Sequence, residues 1–397
     1  MALEGGFLGG SVGGSVGGSV GGSVGGSVGG SVGESLASAP GDGYASPLYA
    51  EALTRNREAI IDLAETQPLW TLPTRDMPLN DKHMRRWDPW VRSFLAAQEA
   101  LERTLFEVEP PSESLDEEGR LTVTFKVMDP IKSRWHRAVT ITRPEGVVFE
   151  EQLSKVLSWA ELRDERRSEI LTQIDNQIPF WGTLIPIQSD RMRHTRELLD
   201  AAVQMSVFIE MRFKHELACW RPIDYSTQVQ PMITTPGHGT LPCGHCTQSH
   251  VIAEVLKALM NSLRAGPAYR SFNLQLDRLA YRMSVNRVIA GVHFPVDNVA
   301  GRLLGTVLGE YFVHRCGGRP ANVPAWHSGV FDGGKFRGDS EFDPLNQPLD
   351  DTTNADPRVP FYKFTKESVG ITGKGILAEL WNEAADECKL LRLPFGS

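Results

Sequence analysis

Helical periodicity runs through most of this 397-residue chain, so the expected fold is mainly α, a helical bundle with a small β insertion. Two observations carry that expectation. Apolar residues recur at three- and four-residue spacing along most segments, as amphipathic helices require. Strict alternation, which marks a half-buried strand, is confined to residues 121–127 and 138–142.

The elements are expected in this order. Residues 1–43 form a tail in which GGSV repeats six times from Gly9 to Val32. Gly and Ser leave such a segment flexible, and one Val in four is too sparse to build a core, so a disordered tether is expected. A region over 44–190 begins with a helix at 46–67, with Leu48, Ala52 and Ile60 on one side. A second helix covers 82–107, with Trp87, Trp90, Phe94, Leu95 and Leu101 as its stripe. A small sheet or hairpin pair follows between 119 and 144, and helical spacing returns over 149–177.

The helical bundle proper is expected over 191–318. Its first helix, 191–220, buries Leu198, Leu199, Ala202, Met205, Phe208, Ile209 and Phe213. A loop rich in Pro and Gly spans 222–244, followed by helices at 246–261, 273–290 and 295–316. The last of these starts at Pro295 and stops at Cys316-Gly-Gly. Residues 319–397 read as an irregular surface wrap ending in a helix at 376–389.

Composition narrows the function classes. Lys and Arg number 41 against 49 Asp and Glu, a net charge of -8. A general nucleic-acid binder would show a basic stripe, so nucleic acid is not an expected partner. Five cysteines in so large a chain do not suggest a disulfide framework. The start, MALEGGFLGG, lacks the basic and apolar regions of a secretory signal. No run approaches the about 18 apolar residues of a membrane span. No signal peptide and no span are therefore expected, and the location to expect is cytoplasmic.

Three clusters carry chemistry. Lys214 and Arg221-Pro222 are seven residues apart, so both cations are expected on one helix face, near the end that Pro222 imposes. Pro242-Cys243-Gly244-His245 precedes a helix, whose free N–H groups can meet an anion where Gly244 lets the backbone come close. Arg287 stands six before His293, Gly291 is a stop signal, and Asp297 lies four beyond His293 in the first turn after Pro295. Asp297 can therefore reach back to the His293 ring, fix its tautomer and leave the other nitrogen free. Three cations need a compensating oxyanion if buried, and phosphate and vanadate are the candidates.

Lys, six residues, Arg-Pro; then Gly-His; then Arg, five residues, His, three residues, Asp: the series resembles the signature that joins vanadium-dependent haloperoxidases to type-2 phosphatidic acid phosphatases and bacterial acid phosphatases. Lys214, Arg221, Pro222, Pro242, Gly244, His245, Arg287, His293 and Asp297 match in order. Cys243 stands where a Ser is usual, replacing a hydroxyl donor by a weak thiol, and Asn286 replaces the Ser before Arg287. His238, seven before His245, is similar to a second histidine of bromoperoxidase-type members.

The resemblance implies a bundle of the vanadium haloperoxidase/acid phosphatase type with vanadate as cofactor. Lys214, Arg221 and Arg287 would hold its equatorial oxygens, with Gly244 N–H and weakly Cys243. His293 would bind vanadium, Asp297 would stand behind it, and His245 would act as acid–base partner. His238 and Lys214 would tune the reaction of hydrogen peroxide with halide, bromide or iodide, ahead of a small organic acceptor. Homodimerisation is left open. The alternative is a soluble acid phosphatase in which His293 forms a phospho-histidine and His245 protonates the leaving group.

Other readings compete. Cys243-Gly-His-Cys246 matches a disulfide-isomerase motif but lacks the expected βαβ surroundings. A zinc site from His238, Cys243, His245, Cys246 and His250 fits no standard spacing and leaves the cations unexplained. An inert scaffold tethered by the GGSV tail is the remaining class.

Overall fold

The computed structural model describes residues 47–60, 89–110, 120–129, 133–174, 177–187, 191–261, 267–318, 326–349, 360–367, 373 and 375–390. The GGSV tail and the expected helical residues 61–67 and 82–88 lie outside the described residues. The architecture is mainly α with one five-stranded sheet.

Helix α1 covers Pro47–Ile60 and α2 covers Pro89–Leu101. The helix expected to reach 107 ends at Leu101, because Arg103 takes a left-handed conformation (φ 58°). Thr104–Glu109 then forms strand β1, antiparallel to β2, Thr122–Asp129. Its sequence, TLFEVE, includes the strand-favouring Thr104, Phe106 and Val108, and with a partner strand available the pairing wins over helical spacing. β3, Arg134–Thr142, completes the expected hairpin, with a register shift at Phe125/Lys126.

The sheet is larger than the sequence suggested. β4, Trp326–Asp332, pairs parallel to β3, and β5, Tyr362–Glu367, pairs antiparallel to β4. The stretch expected to wrap irregularly thus contributes two strands. Gly329 hides β4 by interrupting its apolar pattern. A Cβ there would meet Leu303 Cδ1 at 2.9 Å, so the bare backbone lets a helix lie against the strand.

The helix expected over 149–177 is divided. α3, Gly146–Trp159, passes through a short turn, Ala160–Leu162, into α4, Arg163–Thr172, and a single turn, α5, follows at Ile178–Trp181. The turn delivers the Arg163 guanidinium to three carbonyls, Ile289 at 3.0 Å, Gln230 at 2.9 Å and Val229 at 3.0 Å. One side chain so pins residues 229–230 to Ile289, shortly before His293.

The core is made by α6 (Arg193–Leu217), α8 (Gly244–Asn261), α9 (Pro267–Ile289) and α10 (Pro295–Arg315), with the short helix α7 (Pro222–Tyr225) leading out of the Arg221 turn and α11 (Ile376–Leu390) packed on α6. α10 meets α8 through Gly301, Gly305 and Gly309, spaced four apart and so on one face. A Cβ at 301 would sit 2.9 Å from Cys243 O, one at 305 would collide with Thr247 O, and one at 309 would lie 2.6 Å from Glu254 Cβ. That close approach sets where the Cys243–His245 segment stands.

Candidate functional site

α6 ends four residues before Arg221. Ala218 adopts a left-handed conformation (φ 47°) and its N–H bonds Lys214 O at 3.1 Å. Arg221 is extended (φ -82°, ψ 160°), as a residue before proline prefers. Lys214 and Arg221 therefore do not share a helix face, as their spacing suggested. The chain turns between them, and both still reach one pocket.

That pocket is lined by Lys214, Arg221, His238, Gly244, His245, Arg287 and His293. Ile233, Pro236 and Val292 supply apolar wall, and Glu210 and Gln248 complete the lining. Asp297 stands behind His293. Cys243 is buried beside the pocket, with its thiol within electrostatic reach of Lys214, Arg221 and Arg287.

Each polar group has a definite setting. Arg221 donates through Nε to His238 O at 3.1 Å and through Nη1 to Val292 O at 2.7 Å. The same Nη1 lies 3.0 Å from His293 Nε2. Because an arginine only donates, His293 Nε2 presents its lone pair, and the ring proton sits on Nδ1. That proton goes to Asp297 Oδ2 at 2.9 Å. Burial, with Arg221 and Lys214 beside it, holds His293 well below the usual imidazole range, so the ring stays neutral.

His245 donates through Nε2 to Gln173 O at 2.9 Å, which leaves Nδ1 as its basic nitrogen. Burial and the nearby Arg287 push its pKa down to about 3. His238 is likewise lowered to about 3 by burial and by Lys214 and Arg221, and its Nδ1 lies 3.1 Å from Arg221 Nη2.

Lys214 differs from expectation in a second way. Its ammonium donates to Gly239 O at 3.3 Å, Thr240 O at 3.1 Å and Pro242 O. All three protons are engaged, so in this arrangement Lys214 contributes charge and loop order rather than a free donor. Burial lowers its pKa, with Arg221 acting in the same sense.

Arg287 is the reverse case. Nη2 donates to Gln173 Oε1 at 2.9 Å and Ile170 O at 3.2 Å. Nε and Nη1 are buried without a hydrogen-bond partner among the described residues. Burial lowers Arg287 only to about 10, so it remains charged at neutral pH. A buried guanidinium with two idle donors beside an imidazole lone pair and a helix start is what an oxyanion site requires.

Three contributors were not foreseen. Gln173, at the end of α4, braces Arg287 through its amide and His245 through its carbonyl. Thr240 donates to Asp297 Oδ2 at 2.5 Å. Glu210 lies one turn before Lys214 on α6, and only the i, i+4 spacing to Lys214 could have marked it. Asn286, in the place of a Ser, donates to Glu169 Oε2 and Gln173 Oε1, both at 3.1 Å.

The competing motifs lose their ground. Cys243 and Cys246 are fully buried and free, and burial pushes Cys243 up to about 12. A redox-active thiol needs exposure and a lowered pKa. His250 Nδ1 turns to Cys246 O of its own helix at 2.8 Å, while His245 turns to Gln173, so the five residues of the zinc reading do not converge.

Comparison with known proteins agrees with the geometry. Residues 199–318 match the model of the PAP2 superfamily. This helical unit, holding every motif from Lys214 to Asp297, is a PAP2-superfamily region. The chain is also 28% identical over 101 residues to a vanadium-dependent bromoperoxidase of Ascophyllum nodosum, a match covering 20% of this chain and 18% of that protein. Gln173 lies outside the matched family region, so the site draws on a part of the chain that the family model does not span.

Proposed function

We propose that this protein is a vanadium-dependent haloperoxidase that oxidises bromide or iodide with hydrogen peroxide and passes the halogen to a small organic acceptor. The observation that carries the reading is the His293 Nε2 lone pair, fixed by Asp297, in one pocket with the idle nitrogens of Arg287. These groups fit vanadate. Arg221, Arg287 and the N–H at Gly244 would hold its oxygens, and His293 Nε2 would be the nitrogen ligand. Lys214 would contribute through charge.

Bound vanadate supplies the activation of hydrogen peroxide toward a halide. The chain's own residues do the rest. His245 Nδ1 would be the base that accepts and returns the peroxide proton, its other nitrogen being committed to Gln173. An anion in the pocket raises the His245 pKa from its low resting value, bringing it toward useful proton exchange. His238, held against Arg221, borders the approach of the halide. Among the described residues no helix is long and apolar enough to cross a membrane. A cytoplasmic enzyme acting on small acceptors is part of this proposal.

A second reading uses the same lone pair. His293 Nε2 attacks phosphorus of a phosphomonoester, His245 protonates the leaving oxygen, and water then hydrolyses the phospho-histidine. One assay separates the two. Purified protein is given vanadate, peroxide and bromide or iodide, and halogenation of an activated arene is followed. Hydrolysis of a phosphomonoester is measured without vanadate. Halogenation supports the haloperoxidase; hydrolysis alone, inhibited by vanadate, replaces it with the phosphatase.

A further inference from the structure

The site contains a carboxyl group that neither reading uses. Glu210 is 3% exposed and lines the oxyanion pocket with Lys214, Gly244 and Gln248. Its position against the start of α8 is tight: a Cβ on Gly244 would come within 2.7 Å of Glu210 Oε1. A carboxylate there would compete with any anion for the positive end of that helix.

The hydrogen bonds around Glu210 are directional. Gln177 Nε2 donates to Gln248 Oε1 at 3.1 Å, and Gln248 Nε2 donates to Glu210 Oε1 at 3.0 Å. The relay ends on Oε1 as an acceptor. Oε2 is buried with no partner among the described residues. A proton on this carboxyl therefore belongs on Oε2, the oxygen that no described residue engages.

We propose that Glu210 is a proton-gated donor of the oxyanion site: neutral, it donates Oε2–H to a bound oxyanion, and ionised, it repels one. The inference rests on the pocket being an oxyanion site and holds for vanadate or phosphate alike. Uptake of one proton by Glu210 accompanies anion binding, and its release accompanies loss of the anion. Burial raises the Glu210 carboxyl, opposed by Lys214. The other titratable groups lining or adjoining the pocket are His238, His245 and His293, all held neutral, Arg221 and Arg287, both charged, Asp297, raised by burial to about 6 and bonded to His293 and Thr240, and the buried thiols of Cys243 and Cys246.

Tungstate tests this, because its charge is constant across the neutral range. Calorimetric titration of the whole protein in buffers of different ionisation enthalpy reads proton uptake directly. Wild type is expected to take up about one proton near neutrality, with affinity falling by up to about tenfold per pH unit above it. Glu210→Gln keeps an NH donor and is expected to bind tungstate with neither uptake nor slope in that range. Persistence of the slope in Glu210→Gln overturns the inference. Should that variant misfold, infrared difference spectra of wild type decide: tungstate binding above neutrality must convert a carboxylate band into a carboxylic-acid band, and uptake without that band belongs to a histidine and overturns the inference. Uptake confined to the alkaline side would belong to Lys214 and overturn it, as would binding without uptake. If tungstate, phosphate and vanadate all fail to bind wild type, the oxyanion reading itself falls.

Discussion

Nδ1 of His293 lies 2.9 Å from Oδ2 of Asp297, and that oxygen also receives the Thr240 hydroxyl and the Phe294 N–H. One carboxylate oxygen thus fixes a tautomer and caps the first turn of α10. Asp297→Ala should lower vanadate affinity by roughly 10–100-fold, as loss of a partner behind a ligating histidine does. It should also cost about 1 kcal/mol of stability through the lost cap. Vanadate titration and thermal melting measure the two effects separately.

Arg287 carries two buried donor nitrogens that no described residue satisfies. Such donors are a cost to the protein without its anion. Arg287→Met should therefore leave the ligand-free protein about as stable as wild type while abolishing the rise in melting temperature that tungstate gives. A large destabilisation without tungstate would show that Arg287 is structural.

Gln173 holds Arg287 Nη2 through Oε1 and His245 through its carbonyl. Gln173→Leu removes the first contact and keeps the second. Oxyanion affinity should fall by about tenfold, with the pH profile of any activity unmoved. A shifted pH profile would mean that the His245 contact had been lost as well.

Asp200 is buried away from the pocket, and burial raises its carboxyl from the ordinary 3.8 to about 8. Between those values the folded protein keeps a proton that the unfolded chain has lost. Stability therefore falls as pH rises through this window, and the penalty is complete above it. Asp200→Asn should match wild type at acid pH and exceed it on the alkaline side by on the order of a few kcal/mol. Denaturant midpoints at several pH values check this; a constant difference would refute it.

Cys219, Cys243, Cys246, Cys316 and Cys388 are free and buried. Low thiolate content and low access both slow alkylation. Native protein should resist iodoacetamide, and all five should label after denaturation. Rapid native labelling of Cys243 or Cys246 would revive a redox role.

Much of the site was readable because its motifs are local. Asp297 four after His293, in a turn opened by Pro295, implies their contact by helix geometry alone. Arg221 reaches the pocket from a backbone that the spacing does not imply, since nothing in it reveals the left-handed Ala218 that ends α6 early. Strand β4 went unread because Gly329 breaks its pattern, and its pairing with β3 joins residues far apart in sequence.

The sequence by itself determined the helical composition, the three motifs and the pocket's cations and histidines, since these follow from periodicity and side-chain chemistry over short spans. Tertiary structure decided which donors remain unspent. It turned Lys214 onto three carbonyls, left Arg287 with idle nitrogens, brought Glu210 into the pocket and set Gln173 behind Arg287 and His245. Hydrogen-bond satisfaction and desolvation are properties of the assembled interior, set by segments that meet only when the chain is folded.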